Sequence, residues 1–282
     1  MLNLIKKLLD WFLLTSIFTA CCALSLCMAT ERLVNDSRPE LFSKLHALVF
    51  GCSLLVYNIH PAVKKRVSST IGLPRLTKHH QPVYASLAVI GILLAASALP
   101  EMTPNMFLVC ALLGFISFAY TLPILPFKKK KRIRDVGWLK ILSLTAVWTI
   151  VTSVLPMLYW HVGVQRFPFE ILLRGTFIFV LCIIFDIRDV QADKNSNINT
   201  LPHIIGLPNS YRLMNAALLL FGVLGIGQYL RHPLWYRMGA VIITAVVTRL
   251  VAEYLKTNNT ERAYLVYADG MMMLYALLVL LL

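Results

Sequence analysis

The stretch that decides the fold is FIFVLCIIFDIRDVQAD, residues 177–193. Its apolar first half leads directly into three aspartates, Asp186, Asp189 and Asp193. Their i, i+3 and i+7 spacing puts the three carboxylates on one side of a helix, within roughly 60° of one another. They stand at the C-terminal end of that helix, where the helix dipole disfavours negative charge. A Mg²⁺ ion, which takes oxygen ligands, would satisfy the acids. The alternative is a solvated helix end whose acids pair with Arg188 and Lys194.

The composition of the chain indicates that this stretch lies in a membrane. Of the 282 residues, 58% are hydrophobic and 14% are charged, and the mean hydropathy is +0.71. This excludes an ordinary soluble domain and indicates an all-α polytopic membrane protein. We expect about nine transmembrane helices, at about 11–30, 41–58, 83–99, 105–122, 138–160, 169–185, 212–230, 234–255 and 263–282. They are expected to form one bundle, a single transmembrane domain over residues 1–282.

The basic residues predict the orientation of these helices. They concentrate near the N-terminus and in alternate loops, as the positive-inside rule requires of the cytoplasmic face. We therefore expect a multi-pass protein of the plasma (inner) membrane, with its N-terminus in the cytoplasm and its C-terminus outside. The net charge of +14 is attributed to contact with anionic lipid headgroups rather than nucleic acid. Two polar loops on the cytoplasmic side, about 60–82 and 186–211, are long enough to be functional.

Other polar and sulfur-containing side chains give weaker signals. The six cysteines fall within apolar segments without a C-x-x-C pair, so we expect buried thiols. Arg249 and Glu253, four residues apart, are expected to pair with each other. Asp269 lies in the last span, where an uncompensated charge is costly. It is either functional or held by a neighbouring helix or by Arg249.

A further feature follows the fourth span: AYTLPILPFK, residues 119–128. Pro123 and Pro126 cannot continue a helix, so the span is expected to end before them. Tyr120 and Lys128 would then lie near the same cytoplasmic entrance. The alternative is a proline-terminated helix followed by a basic run that only sets the topology.

Together these residues resemble the UbiA-type family of intramembrane prenyltransferases. The segment 186–193 is similar to the family's second aspartate-rich motif, and the NTLP sequence at 199–202 is similar to its usual continuation. The segment 120–128 resembles the family's Tyr-x-x-Pro-Pro-x-x-x-Lys stretch. The resemblance covers most of the chain from about residue 50 onward. It implies transfer of a prenyl group from a polyprenyl diphosphate to an aromatic or lipid acceptor.

The resemblance also implies a set of site residues. Asp186, Asp189 and Asp193 would be catalytic, holding Mg²⁺ that neutralises the departing diphosphate. Basic and polar side chains would contact the phosphates of the substrate. The candidates for substrate binding are Asn58, Lys64, Arg66, Tyr120, Lys128, Arg188 and Lys194.

The chain departs from the family in the first aspartate-rich motif, Asn-Asp-x-x-Asp-x-x-x-Asp at the end of the second helix. Here the sequence is NIHPAVKKR, residues 58–66, in which Asn58 matches and Ile59, Ala62 and Arg66 replace the acids. Two consequences are open. Either the basic loop faces the diphosphate and replaces metal charge with fixed charge, or the protein is a non-catalytic isoprenoid-binding or accessory protein.

A transporter is a third hypothesis, from another functional class. It predicts ionisable residues near the bilayer midplane of several helices. Here the ionisable residues gather at one face of the expected bundle, with Asp269 as the main exception. We therefore place the transporter below the other two hypotheses.

Overall fold

The computed structural model describes residues 9–35, 42–63, 81–122, 132–195, 198–230 and 235–282, and in these ranges all regular structure is helical. The helices are α1 Ile17–Asn35, α2 Lys44–Val63, α3 Gln81–Ser97, α4 Pro104–Thr121, α5 Gly137–Tyr159, α6 Pro168–Asn195, α7 Leu201–Ile205, α8 Leu207–Leu230, α9 Trp235–Thr257 and α10 Glu261–Leu281. Short 3-10 turns precede α4, α5 and α6.

Within the described ranges, eight helices are long and apolar enough to cross a membrane. The remaining expected span, at about 41–58, corresponds to α2. Its apolar part, Lys44–Ile59, is shorter than the apolar segments of the other eight helices. The prediction of an all-α polytopic membrane protein is confirmed. The described residues divide into two compact units, so each is described separately, and the single domain and the orientation stay predictions.

The first unit comprises the chain up to Met102 together with Leu255–Leu280. In it α2 packs along α3, and the two helices come closest at Gly51 and Gly91. A Cβ atom on either glycine would lie 2.6 Å from the carbonyl oxygen of the other. Small residues at such a crossing let two membrane helices approach backbone to backbone.

Asp269 lies in the first unit, directly after a π-helical turn at Tyr264–Ala268 in α10. Its side chain is buried, and the Thr19 hydroxyl of α1 donates a hydrogen bond to Oδ2 over 3.4 Å. Arg249 pairs with Glu253, as the spacing predicts. Asp269 is therefore held by a neighbouring helix, which is one of the alternatives that the sequence leaves open.

The second unit comprises Thr103–Tyr254 and the last two residues, and α6 packs in it against both α5 and α8. The Phe177 ring of α6 stacks on Phe221 of α8 with 5.2 Å between centroids, and both residues are fully buried. Near the start of α6, Glu170 and Arg174 are also fully buried and form an ion pair of 3.0 Å. These contacts hold the first part of α6 within the second unit.

Halfway along, α5 changes its winding. Residues Ile150–Val154 form a π-helical turn, closed by a hydrogen bond from the Leu155 N–H to the Ile150 carbonyl. Pro156 follows at once, and a proline clashes with the carbonyl four residues before it and has no N–H to donate. The proline therefore explains why the helix widens there.

The structure corrects the expected loop at 186–211. Helix α6 continues through the motif to Asn195, and α7 and α8 follow, so the described residues outside helices in this segment are 198–200 and 206. Beyond its apolar run, α6 carries aspartates that pair with Lys140 of α5. The polarity of the segment alone does not reveal that it is helical. Most of the other expected loop, 60–82, lies outside the described residues. The fourth span ends at Thr121, as the prolines predict, with an extended backbone at Leu122.

We expect Gly91→Ala to destabilise the protein by about 1–3 kcal/mol, because the added methyl group overpacks the crossing of α2 and α3. Thermal unfolding of the purified protein in detergent measures the change. Gly114→Ala is the matched control, since nothing lies within 4 Å of a Cβ atom at Gly114. Equal stability of the two variants would contradict the close packing described here.

Candidate functional site

Lys140, in the first turns of α5, lies among the three aspartates of α6. Its Nζ atom is 2.9 Å from Asp186 Oδ1, 3.0 Å from Asp193 Oδ2 and 3.9 Å from Asp189 Oδ2. The three carboxylates share one side of α6, as their spacing predicts, and the cation among them comes from the protein. We call these four residues the aspartate–lysine cluster.

Burial makes this pairing strong. The side chains of Asp186, Lys140 and Asp193 are 3%, 12% and 13% exposed, and that of Asp189 is 28% exposed. Charges are screened less at such sites than on an open surface. Oδ2 of Asp186 is buried and has no hydrogen-bond partner among the described residues. The cluster therefore keeps one carboxylate oxygen that a further donor or cation could satisfy.

Arg188 supplies a second cation at this end of α6. Its Nε and Nη2 atoms donate to the two carboxylate oxygens of Asp189, over 2.7 and 3.1 Å. The guanidinium lies 4.9 Å from the centroid of the Phe185 ring, within the range of a cation–π contact. The expected pairing of Arg188 with the motif is thus present, whereas Lys194 is exposed and forms no ion pair with a described residue.

Tyr120 and Arg134 border the cluster. The Tyr120 hydroxyl, at the end of α4, lies near Lys140, Asp186 and Arg134. Arg134 belongs to the short turn Ile133–Asp135 that precedes α5, and burial lowers the pKa of its guanidinium, with a further contribution from the charge of Arg132. The carboxylate of that turn, Asp135, pairs with Arg132. Within the described part of the chain, Arg134 is a half-buried cation that forms no ion pair.

Gly137 fixes the start of α5 against the segment that follows α6. A Cβ atom at Gly137 would lie 1.6 Å from the Asn199 carbonyl oxygen and 2.7 Å from Thr200 Cα. That segment is tied to α6 by a hydrogen bond from the Ile198 N–H to the Asp193 carbonyl. The two helix ends are therefore held together by backbone packing, and Lys140 follows one turn later.

Four other predicted site residues lie elsewhere or outside the described ranges. Asn58 is buried in the first unit, where its Nδ2 donates to the Leu54 carbonyl over 2.9 Å. Its Oδ1 has no partner among the described residues. Lys64, Arg66 and Lys128 lie outside the described residues. The roles assigned to these four residues stay predictions.

Sequence reasoning missed Lys140 as a site residue. It counted this lysine only as one of the basic residues that set the topology. A usable signal was present, because a lysine just inside the apolar segment GWLKILSL needs a partner when it is buried. The aspartates of another helix are such partners, but only the fold shows that the two helices are neighbours.

Comparison with known proteins supports the fold. No protein-family model matches the chain, and no curated protein matches it. A solved structure described as digeranylgeranylglyceryl phosphate synthase in membranes matches 98% of this chain and 100% of its own, with a TM-score of 0.57 and 13% sequence identity. At this identity the likeness shows the fold alone. The chain is therefore an integral, multi-pass membrane protein with a UbiA-like fold, as the sequence predicts.

The arrangement of the cluster does not fit the implied Mg²⁺ ion as the side chains stand. In the described ranges, no group of three or more His, Cys, Asp or Glu side chains is arranged to hold a metal ion. Magnesium requires oxygen ligands at about 2.0–2.1 Å in near-octahedral geometry. The position between the three carboxylates is instead taken by the Lys140 ammonium group.

Lys140→Met is expected to destabilise the protein by about 3 kcal/mol, because it leaves buried carboxylates without their cation. Adding Asp186→Asn should restore part of the loss, since the two residues are coupled. Thermal unfolding in detergent measures all three proteins. Lys194→Met, which removes an exposed lysine from the end of α6, is the control. If Lys194→Met lowers the free energy of unfolding as much as Lys140→Met does, the cluster does not hold the two helices together.

Proposed function

We propose that this protein is an intramembrane prenyltransferase, which moves a prenyl group from a polyprenyl diphosphate to an aromatic or lipid acceptor. The observation that carries the proposal is the aspartate–lysine cluster, with Tyr120 and Arg134 beside it, on a UbiA-like membrane fold. The similar synthase is named for a product that carries geranylgeranyl groups, which are prenyl groups, on a glyceryl phosphate. A prenyl diphosphate also suits the apolar composition of the chain around one charged site.

The reaction needs positive charge where the diphosphate departs. The allylic C–O bond breaks with its electron pair going to the diphosphate, and the acceptor attacks the resulting allyl cation and loses a proton. Preorganised donors aimed at the developing charge are the usual source of such catalysis. In the described residues, Arg134 is a half-buried cation beside the cluster that forms no ion pair, since Asp135 of its own turn pairs with Arg132. We assign it to the phosphates, together with the predicted contact Lys128, and the roles of Lys64 and Arg66 stay predictions.

The three aspartates have a different part in this proposal. They hold Lys140, and Asp189 holds Arg188, so these two cations stand at fixed positions at the edge of the site. The Tyr120 hydroxyl lies beside Lys140 and Asp186 at this edge. The Mg²⁺ that the resemblance implies stays a prediction, and because Lys140 stands between the carboxylates we assign no step to it.

One observation favours the second candidate, a non-catalytic isoprenoid-binding protein on the same fold. Lys140 already stands between the carboxylates that would otherwise hold a metal ion, and the acids of the first motif are absent. A protein of this kind would bind a polyprenyl diphosphate saturably without breaking its C–O bond. The two candidates therefore differ in one measurable quantity, the release of diphosphate.

Asp186→Asn is expected to lower the rate of diphosphate release up to about 100-fold, because it loosens Lys140, and losing one preorganised charged group has an effect of this order. Purified protein in detergent is assayed with a panel of polyprenyl diphosphates, with and without an acceptor mixture and with and without Mg²⁺. Glu253→Gln, which neutralises a half-exposed acid away from the cluster, should keep the wild-type rate. Saturable donor binding without release from any donor would establish the binding protein instead.

Arg134→Ala is expected to raise the donor concentration for half-saturation about 10-fold, equivalent to about 1.4 kcal/mol. A cation 4 Å from a phosphate oxygen gains roughly 4 kcal/mol at an effective dielectric of 20, before the cost of desolvation. Arg212→Ala removes an exposed arginine at the start of α8 and serves as the control. An equal effect of both substitutions would mean that only the net charge of the surface matters.

A further inference from the structure

Lys140 makes the kind of contacts that a bound cation makes. Its Nζ atom lies within 4.0 Å of one oxygen from each of three carboxylates, all carried by another helix. An ammonium group has three N–H donors and no acceptor, and here it lies within hydrogen-bonding distance of Asp186 and Asp193, while Asp189, at 3.9 Å, is in ion-pair contact only. One lysine thus contacts all three aspartates of the motif rather than a single one.

The charges of the cluster are nearly balanced by the chain itself. Three carboxylates carry three negative charges, and Lys140 and Arg188, which contact them directly, carry two positive charges. A divalent cation added to this arrangement would have to displace Lys140 or stand beside it at short range. Like charges at that distance repel strongly where water is scarce.

The backbone also keeps Lys140 in place. Gly137 lies against Asn199 and Thr200 without room for a Cβ atom, so the start of α5 packs directly on the backbone of the segment that follows α6. The side chain of Lys140 is 12% exposed, which leaves it little space to rotate away. The ammonium group is therefore held in the cluster by the fold and not only by attraction to the acids.

We propose that Lys140 is the resident cation of the aspartate motif, occupying the position that a divalent metal ion would take, so that metal ions bind there tightly only when Lys140 is removed. The proposal has a consequence for the polyprenyl diphosphate, which would be bound by fixed cations without a requirement for Mg²⁺. This consequence rests on the proposed function. As a statement about cation binding, the proposal stands on the cluster alone.

The test uses Mn²⁺ alone as the probe, titrated into the full-length protein in detergent while the free Mn²⁺ signal is followed by electron paramagnetic resonance. Lys140→Gln is expected to bind Mn²⁺ at least 10-fold more tightly than the wild type. The double variant Lys140→Gln/Asp186→Asn should lose this gain, because it removes the carboxylate with the open oxygen. Lys194→Gln has the same change in net charge at an exposed position and should bind Mn²⁺ as the wild type does.

The wild type alone can overturn the proposal. If it binds Mn²⁺ as tightly as Lys140→Gln, or binds it in a way that Asp186→Asn abolishes, Lys140 does not occupy the metal position. This comparison also decides the question if Lys140→Gln fails to fold, and the absence of such binding then supports the proposal. A gain of affinity in Lys194→Gln equal to that in Lys140→Gln would likewise count against it.

Turnover of the donor is measured on the same samples, so the two proposals fail separately. Weak Mn²⁺ binding by the wild type without diphosphate release from any donor would support Lys140 as the resident cation and contradict the transferase proposal. Diphosphate release that requires Mg²⁺, together with tight Mn²⁺ binding by the wild type, would support the transferase proposal and contradict the assignment of Lys140 as the resident cation.

Discussion

The ion pairing between Lys140 and three aspartates is the constraint on which this end of the second unit depends. Each charge is poorly placed in its own helix, since a cation stands near the start of α5 and three anions stand at the end of α6. The dipole of each helix opposes its own charges but favours those of its neighbour. Bringing the two ends together turns two unfavourable arrangements into one favourable arrangement.

Backbone packing sets the position of the two helix ends at which Lys140 meets the aspartates. Gly137 and the segment at Asn199 approach so closely that the relative position of the two helix ends has little freedom. The buried aromatic stack of Phe177 on Phe221 and the buried pair of Glu170 and Arg174 secure the rest of α6. A charged cluster held this firmly is preorganised, and preorganisation is what a binding site for a departing anion requires.

Much of the fold was predictable from the sequence, and the arrangement of the site was predictable only in part. Apolar run lengths identified the spans, because crossing a bilayer requires long apolar helices. The shared face of the aspartates followed from helical periodicity. The role of Lys140 depends on which helices are neighbours, and the helical course of 186–195 depends on side-chain pairing, so neither is contained in a local pattern. Lys64, Arg66 and Lys128 lie outside the described residues, and their roles rest on the resemblance alone.

The π-helical turn of α5 separates the longer part of the helix that carries Lys140, Gly137–Thr149, from its short last part, Leu155–Tyr159. A single inserted residue in a regular helix rotates everything beyond it by about 100°. At Ile150–Val154 the helix already contains an extra residue. Deletion of one residue there would return the turn to regular α-helical winding. A difference of one residue in chain length at this turn can therefore be absorbed locally, and Lys140 keeps its position relative to the aspartates of α6.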